Sequence, residues 1–372
     1  MMKTLRYAIP FLFLASLLWG CALGGAWSLL VALLIPACIA GGDRLFGAGP
    51  PAPARADAFA YRLLPWLYIP AQIAAIGWAA TIVADPATSV PRAIGFTVAV
   101  GLTAGIFGML AAHEMVHSRR RLERALGLAL LASVGYMHFR IAHIDGHHCR
   151  AATPDDPATA RRGESAYRFV SRSVAGQFAE AWRLEAARLR GRRRPPLAAA
   201  NRMLHYLLVE ALILAGAAFL GLPVLLFWLA QSALAILLLE LFNYIAHYGL
   251  LRGPLAAGGI APLGQRHAWN SSRRMNNWSL FNMGRHSDHH RFPARPYQCL
   301  QPVADAPELP MGYAGSILLA LVPPLWRRVM DRRLDLLPAI RGRLSSEIPL
   351  GALQAGEAGR APHGDDAVAI ID

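Results

Sequence analysis

The sequence predicts an all-α integral membrane protein of about six transmembrane helices with a histidine-rich cap on its cytoplasmic side. Three observations predict it. The 372 residues are 55% hydrophobic and only 16% charged, with a mean hydropathy of +0.34, too apolar for a soluble domain of this length. Apolar runs approach the roughly 20 residues needed to cross about 30 Å of hydrocarbon. Histidines gather where those runs end.

The candidate spans are Tyr7–Leu23, Trp27–Ala40, Leu63–Val83, Ile94–Ala112, Met203–Leu222 and Val224–Phe242, the second being the shortest. The first follows Lys3 and Arg6, as a signal peptide would, and Leu18-Trp19-Gly20-Cys21 loosely matches a lipoprotein cleavage site. Trp19 is too large for such a site, and a second apolar run follows at once, as in a membrane hairpin. Arginines crowd Arg140 to Arg202 and the chain after Asn243, while the turns near Asp85–Val90 and Gly221–Pro223 carry almost none. The positive-inside rule therefore places the Arg-rich stretches and the N-terminus in the cytoplasm, and an even number of spans agrees. The net charge of +14 falls between and after the spans without a basic helix interleaved with aromatics, so no nucleic-acid partner is expected.

Residues 1–350 read as one membrane domain: a hairpin over 1–41, a Gly/Pro/Ala-rich connector over Gly41–Ala60, and a core from 61 to 333. Within it, Arg124–Phe139 is apolar but short, fitting a helix that lies under the membrane or against the spans. A polar stretch from Arg140 to Asn201 holds a helix near Ser173–Leu189 and is a candidate lid. A second polar region runs to Pro310, then a short apolar helix, Tyr313–Val322; 351–372 is small and polar, the composition of a disordered tail. Trp19, Trp27, Trp66 and Trp78 are placed either to bound a substrate channel or, more commonly, to sit in an interfacial belt.

The histidines carry the chemistry. Of thirteen, nine fall into His113-Glu114-Met115-Val116-His117, His143-Ile144-Asp145-Gly146-His147-His148, His247, and His286-Ser287-Asp288-His289-His290. Residues four apart lie about 40° apart around a helix and share a face. His113 with His117, His143 with His147, and His286 with His290 fit this spacing, while His148 and His289 widen the fans toward a second centre. Nine imidazoles exceed what one ion can hold, which implies two metals. A zinc-protease reading of HExxH would leave six histidines without a role. Glu114, Asp145, Asn243 and Asp288 are candidates to accept an imidazole N–H and fix its tautomer, and equally to cap helices or face solvent. His138, His205, His267 and His363 lack a partner at helical spacing and read as structural. Cys21, Cys38, Cys149 and Cys299 form no CxxC pair, so a thiolate metal site built from close pairs is excluded.

These boxes resemble those of the membrane alkane 1-monooxygenases, within the wider group of histidine-box desaturases and hydroxylases. HExxH at 113–117, HxxxHH at 143–148 and HSDHH at 286–290 are shared, and Asn243-Tyr244-Ile245-Ala246-His247-Tyr248-Gly249-Leu250 is similar to the NYxEHYGL signature of the alkane hydroxylases. Ala152-Thr153-Pro154-Asp155-Asp156-Pro157, Gly163-Glu164-Ser165, His267-Ala268-Trp269-Asn270-Ser271 and Tyr313 through Arg333, with its Leu321 to Arg328, extend the resemblance, which covers roughly Tyr61 to Arg333. The chain departs from the pattern at Ser118, where the family usually has Lys or a similar residue, and at Ala142 and Ala246, where it has Glu.

The resemblance implies a cytoplasmic di-iron cap in the bacterial inner membrane, with all nine clustered histidines as ligands. It implies two non-haem irons that activate O2, insert one oxygen atom into a C–H bond of a hydrophobic substrate drawn from the bilayer, and release the other as water. Terminal hydroxylation of an alkane or alkyl chain is the leading expectation. An aromatic-methyl (xylene-type) monooxygenase and a lipid desaturase are the enzymatic alternatives; a membrane metal transporter is the non-enzymatic one, although transporter ligands belong near the bilayer midplane. The two electrons per turnover must come from a separate rubredoxin or ferredoxin with its NAD(P)H reductase, because the chain has no flavin or nicotinamide fingerprint.

Overall fold

The computed structural model describes residues 2–24, 27–51, 58–253 and 259–347; the expected tail at 351–372 lies outside them. Among the described residues the secondary structure is helical, with two isolated β-bridges and no strand. The chain divides into two units, Met1–Trp326 and Arg327–Asp372, the second described as the continuation to Glu347 of a helix that starts at Pro323.

The first unit holds α1 (Ile9–Leu23), α2 (Trp27–Phe46), α3 (Ala58–Ala84), α4 (Val90–Val116) and α5 (Arg121–Ala132). It continues with α6 (Ala166–Gly191), α7 (Arg202–Phe219), α8 (Leu222–His247), α9 (Arg274–Ser279), α10 (His286–Arg291) and α11 (Gly312–Ala320). Five helices among the described residues are long and apolar enough to span a membrane: Arg6–Leu23, Phe59–Ala84, Val90–Val116, Arg202–Phe219 and Leu222–His247. Large apolar side chains face outward on them, Leu208, Leu212 and Phe219 on α7 at 60%, 63% and 92% exposure. That is unfavourable in water and natural against lipid, and the chain is an integral membrane protein.

The remaining predicted span, Trp27–Ala40, is the front of α2, which runs on to Phe46. The connector is correspondingly shorter than expected. Asp43 Oδ1 accepts the Asn276 N–H at 2.8 Å, Gly49 N donates to Ser272 O at 2.8 Å, and Arg285 Nη2 donates to Pro50 O at 2.8 Å. The hairpin is thus tied to the polar region that carries α10.

The spans α4 and α8 supply histidines from their ends, so their packing sets the site. Gly101 and Gly105 form a GxxxG step on α4. A Cβ at Gly105 would stand 2.8 Å from the Ala235 Cα, and one at Gly101 would stand 2.9 Å from the Leu234 side chain. Only hydrogen fits there, which lets the two backbones approach. A π-helical turn, Ala104–Gly108, interrupts α4 just above its histidine-bearing end.

The candidate lid, α6, begins on Ser165, whose Oγ accepts the Arg168 N–H at 3.3 Å, and runs longer than the sequence reading. Its buried stripe of Phe169, Ser173, Gln177, Glu180, Glu185 and Leu189 is unusually polar. Each acid in it is matched: Glu180 meets Arg150, and Glu185 accepts from Arg188 at 2.6 Å and Arg202 at 2.8 Å. The helix is docked on the histidine region rather than standing free of it. Trp19, Trp27 and Trp78 are 70%, 55% and 41% exposed, on the outer surface where belt residues sit.

Candidate metal centre

Nine histidines converge into two groups, His113, His117, His143, His148 and His289 in one and His147, His247, His286 and His290 in the other, each with its ligand atoms within 4.8 Å. These are the nine of the sequence reading. The HExxH pair shares the last turns of α4, and His286 with His290 shares α10 while His289 turns to the other group, as helical spacing requires.

The second box behaves differently. Residues 142–147 form a π-helix, flanked by short helices Phe139–Ile141 and His148–Arg150. A π-helix bonds i to i+5 instead of i+4, so His143 aligns with His148, their Nε2 atoms 3.1 Å apart. His147 is turned to the other group. The pairing of His143 with His147 on one face, drawn from α-helical spacing, is corrected by this one-residue change in winding.

The Nε2 atoms of His117, His143 and His148 stand pairwise 3.1 Å apart. Those of His247, His286 and His290 stand 3.1 to 3.2 Å apart. Burial first, and the neighbouring histidines next, hold His117, His143, His148, His286, His289 and His290 well below the usual histidine pKa. The rings are therefore neutral. Three neutral imidazoles cannot all donate to one another across a triangle, and their converging lone pairs call for a cation. His147 Nε2 is likewise buried without a hydrogen-bond partner. Two nitrogens about 2.1 Å from one metal stand about 3.0 Å apart at right angles and about 3.4 Å apart in a tetrahedron. The observed spacings favour right angles, and a five-nitrogen group exceeds a tetrahedral set, so the donors fit metals of higher coordination number.

Two rings are oriented by acceptors the sequence reading did not assign. His147 Nδ1 lies 2.8 Å from Asp156 Oδ2, and His247 Nδ1 lies 3.0 Å from the His267 carbonyl. Asp156 itself accepts from Thr159 Oγ1 at 2.6 Å. Burial acts to raise its pKa, but the charge and hydrogen bond of His147 with the Thr159 hydroxyl outweigh it, and the carboxyl is held below the usual range. The candidates named from sequence make other bonds. Glu114 accepts the Tyr297 N–H at 3.1 Å, Asp145 pairs with Arg202 at 3.0 Å, Asn243 Nδ2 donates to Glu240 at 3.4 Å, and Asp288 receives Arg295 at 2.7 Å. His138 packs on Tyr136 with ring centroids 4.4 Å apart, and His205 Nε2 lies 2.6 Å from Ala199 O; His363 is outside the described residues. Ala142 and Ala246 are fully buried at 1% and 0% exposure.

The remaining motif residues brace this arrangement. Tyr244 Oη donates to Glu164 O at 2.7 Å, and Gly163 N donates to Tyr248 Oη at 2.8 Å. Trp269 N and Nε1 donate to the carbonyls of Ala246 and Tyr248 at 2.8 and 2.9 Å, on either side of His247. Asn270 Oδ1 accepts the Ser287 N–H at 3.0 Å and its amide donates to Ser287 Oγ at 2.7 Å, fixing the start of α10.

The family model for fatty acid desaturase matches residues 87–320. The chain is 40% identical over 273 residues to alkane 1-monooxygenase 1 of Pseudomonas aeruginosa, covering 73% of this chain and 72% of that protein. It is 37% identical to alkane 1-monooxygenase 2 of the same organism, covering 82% and 84%. It is 29% identical to the xylene/toluene monooxygenase hydroxylase component of Pseudomonas putida, covering 87% of each. With its histidine groups and spans in place, the chain belongs to the alkane 1-monooxygenase family and is an integral membrane monooxygenase.

Proposed function

We propose that each histidine group holds one iron and that the enzyme inserts one oxygen atom of O2 into a C–H bond of a hydrophobic substrate, terminal hydroxylation of an alkane or alkyl chain being its main reaction. The observation that carries this reading is the convergence of nine imidazoles, seven of them buried and two half-buried, into two groups whose ring nitrogens call for cations. When bound, the iron pair supplies O2 activation. The chain holds the rings in place: Asp156 and the His267 carbonyl fix the orientation of His147 and His247, and the four-histidine group is fully buried. Ligands at the ends of spanning helices suit a substrate that arrives from the bilayer.

The Arg-rich segments support a cap on the cytoplasmic side of the inner membrane. They also suit an acidic rubredoxin or ferredoxin as the electron donor, replenished by an NAD(P)H reductase. Methyl hydroxylation of an alkylbenzene is the second reading, supported by the likeness to the xylene/toluene hydroxylase over 87% of the chain. The higher identity to the alkane enzymes favours the first.

The test uses membranes expressing the chain with a rubredoxin and its reductase, supplied in parallel with octane, p-xylene and an acyl lipid. Gas chromatography is expected to find octanol in excess of the other products, and elemental analysis of the purified protein about two irons per chain. Stoichiometric zinc without iron, or an olefin as the sole product, overturns the proposal.

A further inference from the structure

Where α4 leaves the membrane its sequence runs His117-Ser118-Arg119-Arg120, and α3 begins nearby with Arg62 and Trp66. Between these and the turn at 293–298 lies a cavity of about 210 Å³. His117 and Glu114 line its inner end, Pro65, Trp66 and Pro296 an apolar wall, and Arg62, Arg119 and Arg120 its charged side. Arg119 and Arg120 are exposed while His117 is half-buried, so the charged side is the mouth.

The charges around this cavity do not cancel. Glu114 accepts the Tyr297 N–H, Arg295 is held by both oxygens of Asp288 at 2.8 and 2.7 Å, and Glu123 bonds the Ser118 hydroxyl and lies 4.0 Å from Arg62 Nε. The side chains of Arg119 and Arg120 have no carboxylate partner among the described residues. Next to the apolar wall, Phe59, its ring 6.4 Å from that of Trp66, and Leu67 are 56% and 46% exposed on α3.

Unpaired guanidinium groups beside an apolar wall, at the end of two spanning helices, complement an anionic head on an apolar chain. We propose that this cavity binds the head of a long-chain carboxylate. Its oxygens bond Arg119 and Arg120, whose planar donors match a carboxylate, and its first methylenes lie on Pro65 and Trp66. The rest of the chain follows the lipid face of α3. The cavity has room for a carboxylate and a short run of chain. This ligand requires no metal, so the inference stands apart from the iron reading.

The test measures binding of radiolabelled dodecanoate to the full chain in nanodiscs of phosphatidylcholine, with dodecanol as the uncharged analogue. Wild type is expected to take one equivalent of dodecanoate and to bind dodecanol at least about tenfold more weakly, the scale of a charge-assisted hydrogen bond. Arg119→Gln with Arg120→Gln, on exposed positions, is expected to remove that preference while metal content and elution volume stay unchanged. Discs containing anionic phosphatidylglycerol separate the two sources of such a head group. Dodecanoate binding that persists there supports the assignment, and displacement by the lipid overturns it. Equal affinity for dodecanoate and dodecanol in wild type, or a preference that survives the double substitution, also overturns it.

Discussion

The two histidine groups are neighbours in space and contrasting in construction. The four-histidine group is buried throughout, and both orienting contacts described above, from Asp156 to His147 and from the His267 carbonyl to His247, belong to it. The five-histidine group has one more histidine, but His117 and His148 are half-buried, and His117 borders the cavity at the end of α4. One group is braced by outer contacts, and the other has more histidines and keeps a side toward the surface. Held this way, the two groups differ in bracing and in access.

Ligand removal tests that contrast with the largest expected effect. His290→Ala leaves three histidines in its group, whereas His113→Ala leaves four in the other. Both are expected to reduce hydroxylation at least about 100-fold, beyond the roughly 10–100-fold typical of outer contacts. Metal analysis should separate them: His290→Ala loses about one metal per chain, and His113→Ala retains more. Equal loss would show that the groups bind as one unit and would break the comparison. His205→Ala, whose ring lies on Ala199 O, should leave metal content unchanged.

A smaller effect is expected when the brace is weakened and the ligands stay. Asp156→Asn keeps the size of the side chain but removes the charge facing His147, and a loss of about 10–100-fold in metal affinity is expected. The loss should be confined to the four-histidine group. Titration with a competing chelator would then resolve one weakened and one unchanged metal, and a uniform weakening of both would count against separate bracing.

What was legible in the sequence follows the range of the signal. Spans are read from local hydropathy, and the nine histidines from spacing within short segments, so both emerge without tertiary information. The partition of His143 and His147 is not readable in that way, because residues 142–147 wind as a π-helix and spacing rules assume an α-helix. The orienting groups are harder still. Asp156 lies in the Thr153-Pro154-Asp155-Asp156-Pro157 stretch that resembles the family, yet nothing local tells which aspartate turns inward, and the partner of His247 is a backbone carbonyl that any residue could supply. Glu114, Asp145 and Asp288 stand beside ligands in sequence, but arginines and backbone N–H groups claim them. Ala142 and Ala246 are legible as departures, and the structure adds only that both are enclosed.

The smallest effect concerns an element the two groups share. The π-helix sends His143 to one group and His147 to the other, and its outer side is tied through Asp145 to Arg202 at 3.0 Å and from Arg202 to Glu185 at 2.8 Å. Burial acts to raise the Glu185 pKa, but hydrogen bonds from Arg188 and Arg202 outweigh it and bring it from 4.5 to about 2. Because the folded-state value is depressed, the stabilisation from the ionised carboxylate is fully present above pH 4.5 and is lost as pH falls toward about 2. Hydrogen exchange in 139–150 and 185–202 is therefore expected to accelerate a few-fold between pH 5 and about 3, beyond the intrinsic change of the amides. Glu185→Gln should flatten that dependence and should show the faster exchange already at neutral pH. Since the brace serves both groups, metal loss under the same conditions should be even between them, in contrast to Asp156→Asn. Loss from the four-histidine group alone would place the tie on one side of the π-helix and sharpen the contrast between the groups.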